Sequence, residues 1–226
     1  MIEKNEEIVR KLRGFSEKLF ISEFSERKER KYRLSDICDF ETGYSYTSEE
    51  LKESKMGMVS IKCIGASSSF NSAGIKALQS RKKVPENKKC SIGDVLVAHT
   101  DLTKNQEIIG SPCLISSSTE FDSLCFTMDM VKVIPTDDNF NRALIFQILS
   151  SNLFHSYALG FCSGTTVVHL SKKALETYEF YGPEIITADI KSKLSNLQML
   201  VIQAESKNRS LKAAKKVLLQ KYFGSC

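Results

Sequence analysis

Hydrophobic positions near the C-terminus recur at a spacing of seven. Ile190, Leu194, Leu197, Val201, Ala204, Asn208, Leu211, Lys215, Leu218 and Tyr222 alternate in steps of four and three. This is an a/d seam, narrower than the stripe a helix turns to a broad core. It predicts a helix over 190–223 made to pair with another long helix. At 1.5 Å per residue that helix is about 50 Å long. Asn208 and Lys215 both fall at a, where a buried polar residue costs stability and fixes register and partner number. Gly224 follows, in the place of a C-terminal cap.

Residues 3–24 predict a second helix. Ile8, Leu12, Phe15 and Leu19 keep the same steps of four and three, weakened by Gly14. Its end, Lys18-Leu19-Phe20-Ile21-Ser22, resembles the end of the chain, Lys221-Tyr222-Phe223-Gly224-Ser225, with basic residues ahead of both. A short motif at both ends points to a repeat taken from a longer design. Between the helices the pattern turns mixed. Runs rich in Val, Ile, Phe and Cys predict strands at 58–64, 94–99, 113–116 and 125–134. Helices are predicted at 48–55, opened by Thr47 or Ser48 with Glu49 and Glu50 in the first turn, at 139–151 and at 155–161. Polar loops fall at 66–72, 100–110 and 116–123, and a turn at 162–166 leads into Val167-Val168. Loops of this length in a compact domain are often a working surface. The organisation is an N-terminal helix and linker (1–31), a mixed domain (32–184) and a long helix (185–226). The fold class is α+β, a mixed α/β domain followed by a coiled-coil helix.

Charge adds a direction. The formal net charge is +5, but the clustering matters more. Arg27, Lys28, Arg30, Lys31 and Arg33 form one group, and Arg81, Lys82, Lys83, Lys88 and Lys89 a second. The last helix carries eight Lys and Arg from Lys191 to Lys221 against Glu205. Any one cluster is ordinary solvated surface; three in one chain point to a polyanion. The seven cysteines are odd in number, form no CxxC pair and sit with three histidines at no metal spacing, so idle thiols in a reducing cytoplasm are expected and no metal site. No apolar run is long enough to span a bilayer, and the acidic, polar N-terminus is unlike a signal peptide.

Catalytic motifs are missing. There is no glycine-rich phosphate cradle, no Walker A motif, no GxSxG elbow and no Asn- or Asp-Pro-Pro-Tyr/Phe methyltransferase signature. Glu86-Asn87-Lys88 and Glu53-Ser54-Lys55 fit the nuclease tripeptide Glu-x-Lys, which is common by chance. A non-catalytic binder is the leading reading. A stand-alone metal-dependent nuclease using Glu86 and Lys88 and a coiled-coil adaptor that binds no DNA are the alternatives.

A family resemblance rests on motif order. Tyr32-Arg33-Leu34-Ser35-Asp36-Ile37 leads to Thr42-Gly43-Tyr44-Ser45-Tyr46-Thr47, then to Ser91-Ile92-Gly93-Asp94-Val95-Leu96-Val97. Next come Ser163-Gly164-Thr165-Thr166-Val167-Val168-His169-Leu170, Gly182-Pro183, and a long helix ending Leu218-Leu219-Gln220-Lys221-Tyr222-Phe223. Over nearly its whole length the chain resembles the DNA-specificity (S) subunit of type I restriction–modification enzymes. One departure is the Gln commonly found after the Pro, absent from Pro183-Glu184-Ile185-Ile186. The resemblance implies a half-length S subunit with a single target-recognition domain, reading one half of a bipartite site in double-stranded DNA. Its partners would be the methyltransferase (M) and restriction (R) subunits, which would hold S-adenosylmethionine and ATP with Mg. It would act as a homodimer or beside a second S chain, joined through Leu194, Leu197, Val201, Ala204, Asn208, Leu211, Lys215 and Leu218.

Candidate DNA contacts follow from residue chemistry. Asn and Gln suit adenine, and Lys suits guanine or phosphate. Tyr44, Ser45 and Tyr46 follow a glycine that permits close approach; Lys104, Asn105 and Gln106 lie in a polar loop; Thr165 and Thr166 follow Gly164; and Arg81, Lys82 and Lys83 are the phosphate candidates. For each, a solvent-facing loop residue is the competing explanation.

Overall fold

The computed structural model describes residues 1–65, 68–101, 107–116, 121–164 and 167–224. Helix α1 spans Ile2–Phe20 and runs on through a π-helical turn, Ile21–Ser25. Helices α2 (Arg142–Ser150), α3 (Asn152–Leu159) and α4 (Lys173–Glu176) belong to the mixed head, and α5 covers Ala188–Phe223. The long helix foretold by the heptad seam is therefore present, about 54 Å at the standard rise. Thr187 opens it by accepting the Ile190 N–H on its hydroxyl, a polar N-cap.

Among the described residues the head holds two four-stranded sheets. One orders Pro112–Leu114, Val95–Ala98, Met130–Pro135 and Cys38–Thr42, antiparallel throughout. The other orders Lys76–Ala77, Met56–Val59, Ser123–Phe126 and Lys89–Cys90, with Met56–Val59 parallel to Ser123–Phe126. A three-stranded sheet sets Val168–Leu170 between Cys162–Ser163 and Thr100–Asp101. Both faces of the strand Val95–Ala98 are buried, and its residues divide between two apolar clusters. That explains why it reads as a continuous apolar run rather than an alternation.

Four sequence expectations need correction. The strand over 58–64 ends at Val59, because the Cys63 N–H turns back to Ser60 O at 2.8 Å and Ile61–Cys63 forms a 3₁₀ turn. The run 125–134 is two strands, because Thr127–Asp129 reverses the chain: the Met130 N–H reaches Thr127 O at 3.0 Å, and Tyr44 exchanges main-chain bonds with Phe126 and Met128. The helix expected at 48–55 is one 3₁₀ turn, Ser48–Glu50. The Glu50 carbonyl accepts from Gln79 N–H at 2.8 Å, so it is engaged by another segment where a helix would continue. On α1, Ile8 and Phe15 face solvent. Leu12 and Leu19 are sheltered as expected, and the rest of the sheltered face is Ile2, Asn5, Val9, Arg13, Gly14, Ser16 and Phe20, masked in the sequence by its polar members.

Entry to and exit from the head are joined. Arg30–Arg33 pairs with Glu179–Gly182, and the Tyr32 hydroxyl donates to Pro183 O at 2.6 Å. Phe24, Tyr32, Phe140 and Phe180 pack ring against ring beside this ladder. The head thus sets the end of α1 next to the start of α5, and the two helices run back together as an antiparallel pair.

Candidate nucleic-acid interface

The rod comes first, because it decides which surfaces are open. Arg13 pairs with Glu205 at 2.7 Å and Glu6 with Lys212 at 2.7 Å. Seven residues forward on α5 is seven back on α1, which fixes the antiparallel register. On the head side, Asn141 donates to Lys191 O and Ser195 Oγ, both at 3.1 Å, and Gln147 donates to Ser16 Oγ at 2.9 Å. Arg209 reaches Ser116 O at 3.2 Å, and burial lowers its guanidinium from the usual arginine range.

The seam is consequently occupied from within the chain. Leu194, Val201 and Asn208 are buried; Leu197, Ala204 and Leu211 are half-buried; Lys215 and Leu218 are exposed. Leu194, Leu197 and Val201 border a small gap together with Arg13, Ser16 and the α2 residues Ala143 and Phe146. In this arrangement they are not a surface held open for another molecule. The chain supplies its own second helix, which sequence spacing alone had assigned to a partner. The apolar surface left open lies at Met199, Leu200, Val217, Leu218, Leu219 and Tyr222 on α5, and at Ile8 and Phe15 on α1.

Two of the loops singled out from sequence meet in the head. Tyr44 and Tyr46 are half-buried against Met58, Leu78, Val84 and Cys125, while Ser45 is exposed. Arg81, Lys82 and Lys83 are exposed on the neighbouring loop. Glu50 joins the two. Its carboxylate accepts from the Tyr44 hydroxyl at 3.0 Å, the Thr47 N–H at 2.8 Å and the Arg81 N–H at 2.9 Å. The main-chain bonds from Arg81 and Thr47 hold its carboxyl below the usual carboxylate range. Burial, with the bond to Glu50, raises the Tyr44 phenol. The Arg81 guanidinium is bonded to Glu49, so the ammonium groups of Lys82 and Lys83 are the less encumbered cations.

Gly43 makes the approach possible. A Cβ there would lie 2.1 Å from the Thr127 carbonyl oxygen, so only glycine lets Tyr44 bridge to Thr127. The turn carries exposed Met128 and leads to His99, whose N–H donates to Asp129 O at 2.7 Å. Burial, with Lys172 and His169 close by, keeps His99 below the ordinary imidazole range.

The remaining candidates, Lys104, Asn105, Gln106, Thr165 and Thr166, lie outside the described residues. The residues that flank them are informative. Asp101 pairs with Val168 in the three-stranded sheet. Asp101 is fully buried and accepts the N–H groups of Ile108 and Ile109 at 2.7 and 2.9 Å. Gly164 sits at φ +107°, where a Cβ would also meet the Val167 oxygen. Sequence reasoning missed Glu50 as a tie between the two loops; the Thr47-x-x-Glu50 spacing was the available signal.

Comparison with solved structures follows this geometry closely. The S subunit of the type I restriction–modification system from M. genitalium superposes with a TM-score of 0.59 at 16% identity, covering 100% of this chain and 56% of that one. The fold is that of a type I specificity subunit. The HsdS subunit from Thermoanaerobacter tengcongensis gives a TM-score of 0.52 at 15% identity, over 99% of this chain and 53% of that one. A chain from a study of complex assembly and conformational transition in the type I R-M system gives 0.51 at 15%, over 97% and 51%. The present chain spans about half the length of these S-subunit-like relatives. No family model and no curated protein matches the sequence. No helix among the described residues is long and apolar enough to cross a membrane.

Proposed function

We propose that this chain is a sequence-specific DNA-recognition subunit of a type I restriction–modification complex, reading one half of a bipartite site and directing partner M and R subunits. The observation that carries the reading is the specificity-subunit fold over essentially the whole chain, at half the length of its relatives. One head and one rod are what a half-site reader requires. Two such units, or one beside a second S chain, place two heads on one duplex. A rod of about 54 Å exceeds the roughly 34 Å of a DNA turn, which suits two separated half-sites.

The head supports the reading in its chemistry. Exposed Lys82 and Lys83 suit phosphates, and exposed Ser45 with half-buried Tyr46 beside it suits base edges, on loops that share bonds to one carboxylate. S-adenosylmethionine and ATP chemistry belongs to the partner subunits. The nuclease alternative finds less support: Glu86 is exposed and paired with Lys89 at 2.6 Å, and the Lys88 ammonium is bonded to Thr42 O.

Sequencing of methylated DNA from cells carrying this chain with an M subunit tests the proposal. A two-part methylated motif that disappears when the chain is deleted is expected; an unchanged methylome sinks it. A titration of the full chain against duplex DNA at two salt concentrations separates the adaptor reading, because phosphate binding weakens steeply with salt.

A further inference from the structure

Glu50 is a heavily bonded carboxylate in the candidate interface, although it lies on a surface loop. It is 4% exposed. One oxygen accepts from the Tyr44 hydroxyl and the Arg81 N–H; the other accepts from the Thr47 N–H and, at 3.3 Å, the Thr47 hydroxyl. Its main-chain oxygen accepts from Gln79 N–H at 2.8 Å. An ionised carboxylate has about four acceptor sites and no donor, and every side-chain bond made here comes from a donor. A glutamine in its place would turn an NH₂ group toward groups that also donate.

These bonds divide between two segments, 44–47 and 79–81, which no strand pairing connects. Arg81 is held at both ends, its N–H by Glu50 and its guanidinium by Glu49. Tyr44 is held by its hydroxyl and by main-chain bonds to Phe126 and Met128. What remains free on this surface is Ser45 on one loop and Lys82 and Lys83 on the other, with half-buried Tyr46 beside them. Phosphate contacts set the register of a protein on a duplex, and base-edge contacts read sequence from that register. Reading therefore depends on a fixed distance between the two sets.

We propose that Glu50 is a positioning residue that fixes loop 44–47 relative to loop 79–83, so that base-reading hydroxyls and phosphate-binding lysines keep one register on DNA. This rests on the functional reading above and adds to it a specific determinant of selectivity that touches no base. Arg81 and Tyr44 become parts of the frame, and Ser45, Tyr46, Lys82 and Lys83 the contacting groups.

The test uses the full chain and a pool of DNA duplexes with a randomised central segment, comparing wild type with Glu50→Gln and Glu50→Ala. Amide hydrogen exchange is read in parallel. Both variants are expected to lose protection at Thr47, Gln79 and Arg81 while Val95–Ala98 stays protected. Enrichment of the preferred sequence should fall about tenfold, the order of one mismatched base pair. The salt dependence of binding should stay as in wild type, because no cation has been removed. Partial unfolding alone would lower the active fraction and leave base preference untouched. Variants that match wild type in enrichment overturn the role of Glu50. A wild-type chain that enriches no duplex overturns the functional reading itself.

Discussion

Arg13 Nη2 lies 2.7 Å from Glu205 Oε1, joining α1 to α5 with about a quarter or less of either side chain exposed. The pair sits within the α1–α5 contact, alongside the other polar members of that face, Ser16 and Asn208. A mostly sheltered ion pair contributes little beyond its own desolvation cost, but removing either partner takes the 2.7 Å contact from the other. Arg13→Ala or Glu205→Ala should each destabilise the α1–α5 contact by about 2 kcal/mol. The double change to Met and Leu should cost less than either single change. Urea unfolding together with amide exchange on α1 checks this; a double-variant loss equal to the sum of the two single losses would mean the two charges do not interact.

Asn208 is 7% exposed, and its Oδ1 has no hydrogen-bond partner among the described residues. An unmet buried acceptor is a standing cost, and a polar residue at a seam position holds register against alternatives. Asn208→Leu should raise stability by about 1 kcal/mol and loosen the register of the α1–α5 pair. Thermal unfolding reads the first effect and amide exchange on α1 the second. A less stable variant would show that the amide has a partner essential to the pair.

Lys82 and Lys83 project from the loop that Glu50 anchors, whereas the Arg81 guanidinium is engaged by Glu49. Changing the two lysines to Ala should weaken DNA binding evenly across sequences and flatten the salt dependence by about one unit of slope for each lysine. Adding Arg81→Ala should change that slope little further. Binding measured at several salt concentrations against two unrelated duplexes decides it; loss confined to one duplex would make the lysines base readers.

The parts of this fold that local patterning controls were legible in the sequence. The long helix follows from its seven-residue spacing, and the strands over 94–99 and 113–116 correspond to Val95–Ala98 and Pro112–Leu114. What escaped was decided at a distance. Thr127–Asp129 contains neither Gly nor Pro, so its reversal depends on main-chain bonds to Tyr44. The helix over 48–55 stops at Glu50 because Gln79 engages its carbonyl. The inward face of α1 was misread because Asn5, Arg13 and Ser16 occupy it. The candidate loops at 44–46 and 81–83 were each visible as polar stretches, and the Thr47-x-x-Glu50 spacing marks the cap, but no spacing reveals that the same carboxylate accepts from the Arg81 N–H.

Burial pushes the thiols of Cys38 and Cys125 up to about 12 and that of Cys63 up to about 11, and raises those of Cys90 and Cys113 as well. In the unfolded chain these groups ionise near the ordinary thiol value of about 8.5. Below that pH both states keep the proton, and the thiols add no pH dependence. Above it the unfolded chain gains thiolates that the folded chain resists, so stability falls until the folded thiols ionise in turn. The urea midpoint should therefore be insensitive to thiol ionisation near neutrality and decline from about pH 9 upward. Cys38→Ala and Cys63→Ala should each make that decline shallower, which separates the thiols from tyrosines and lysines titrating in the same range. Iodoacetamide near pH 8 should leave these five thiols unmodified until urea unfolds the head. Rapid labelling of the native protein would mean the clusters open to solvent far more often than close packing of these side chains permits.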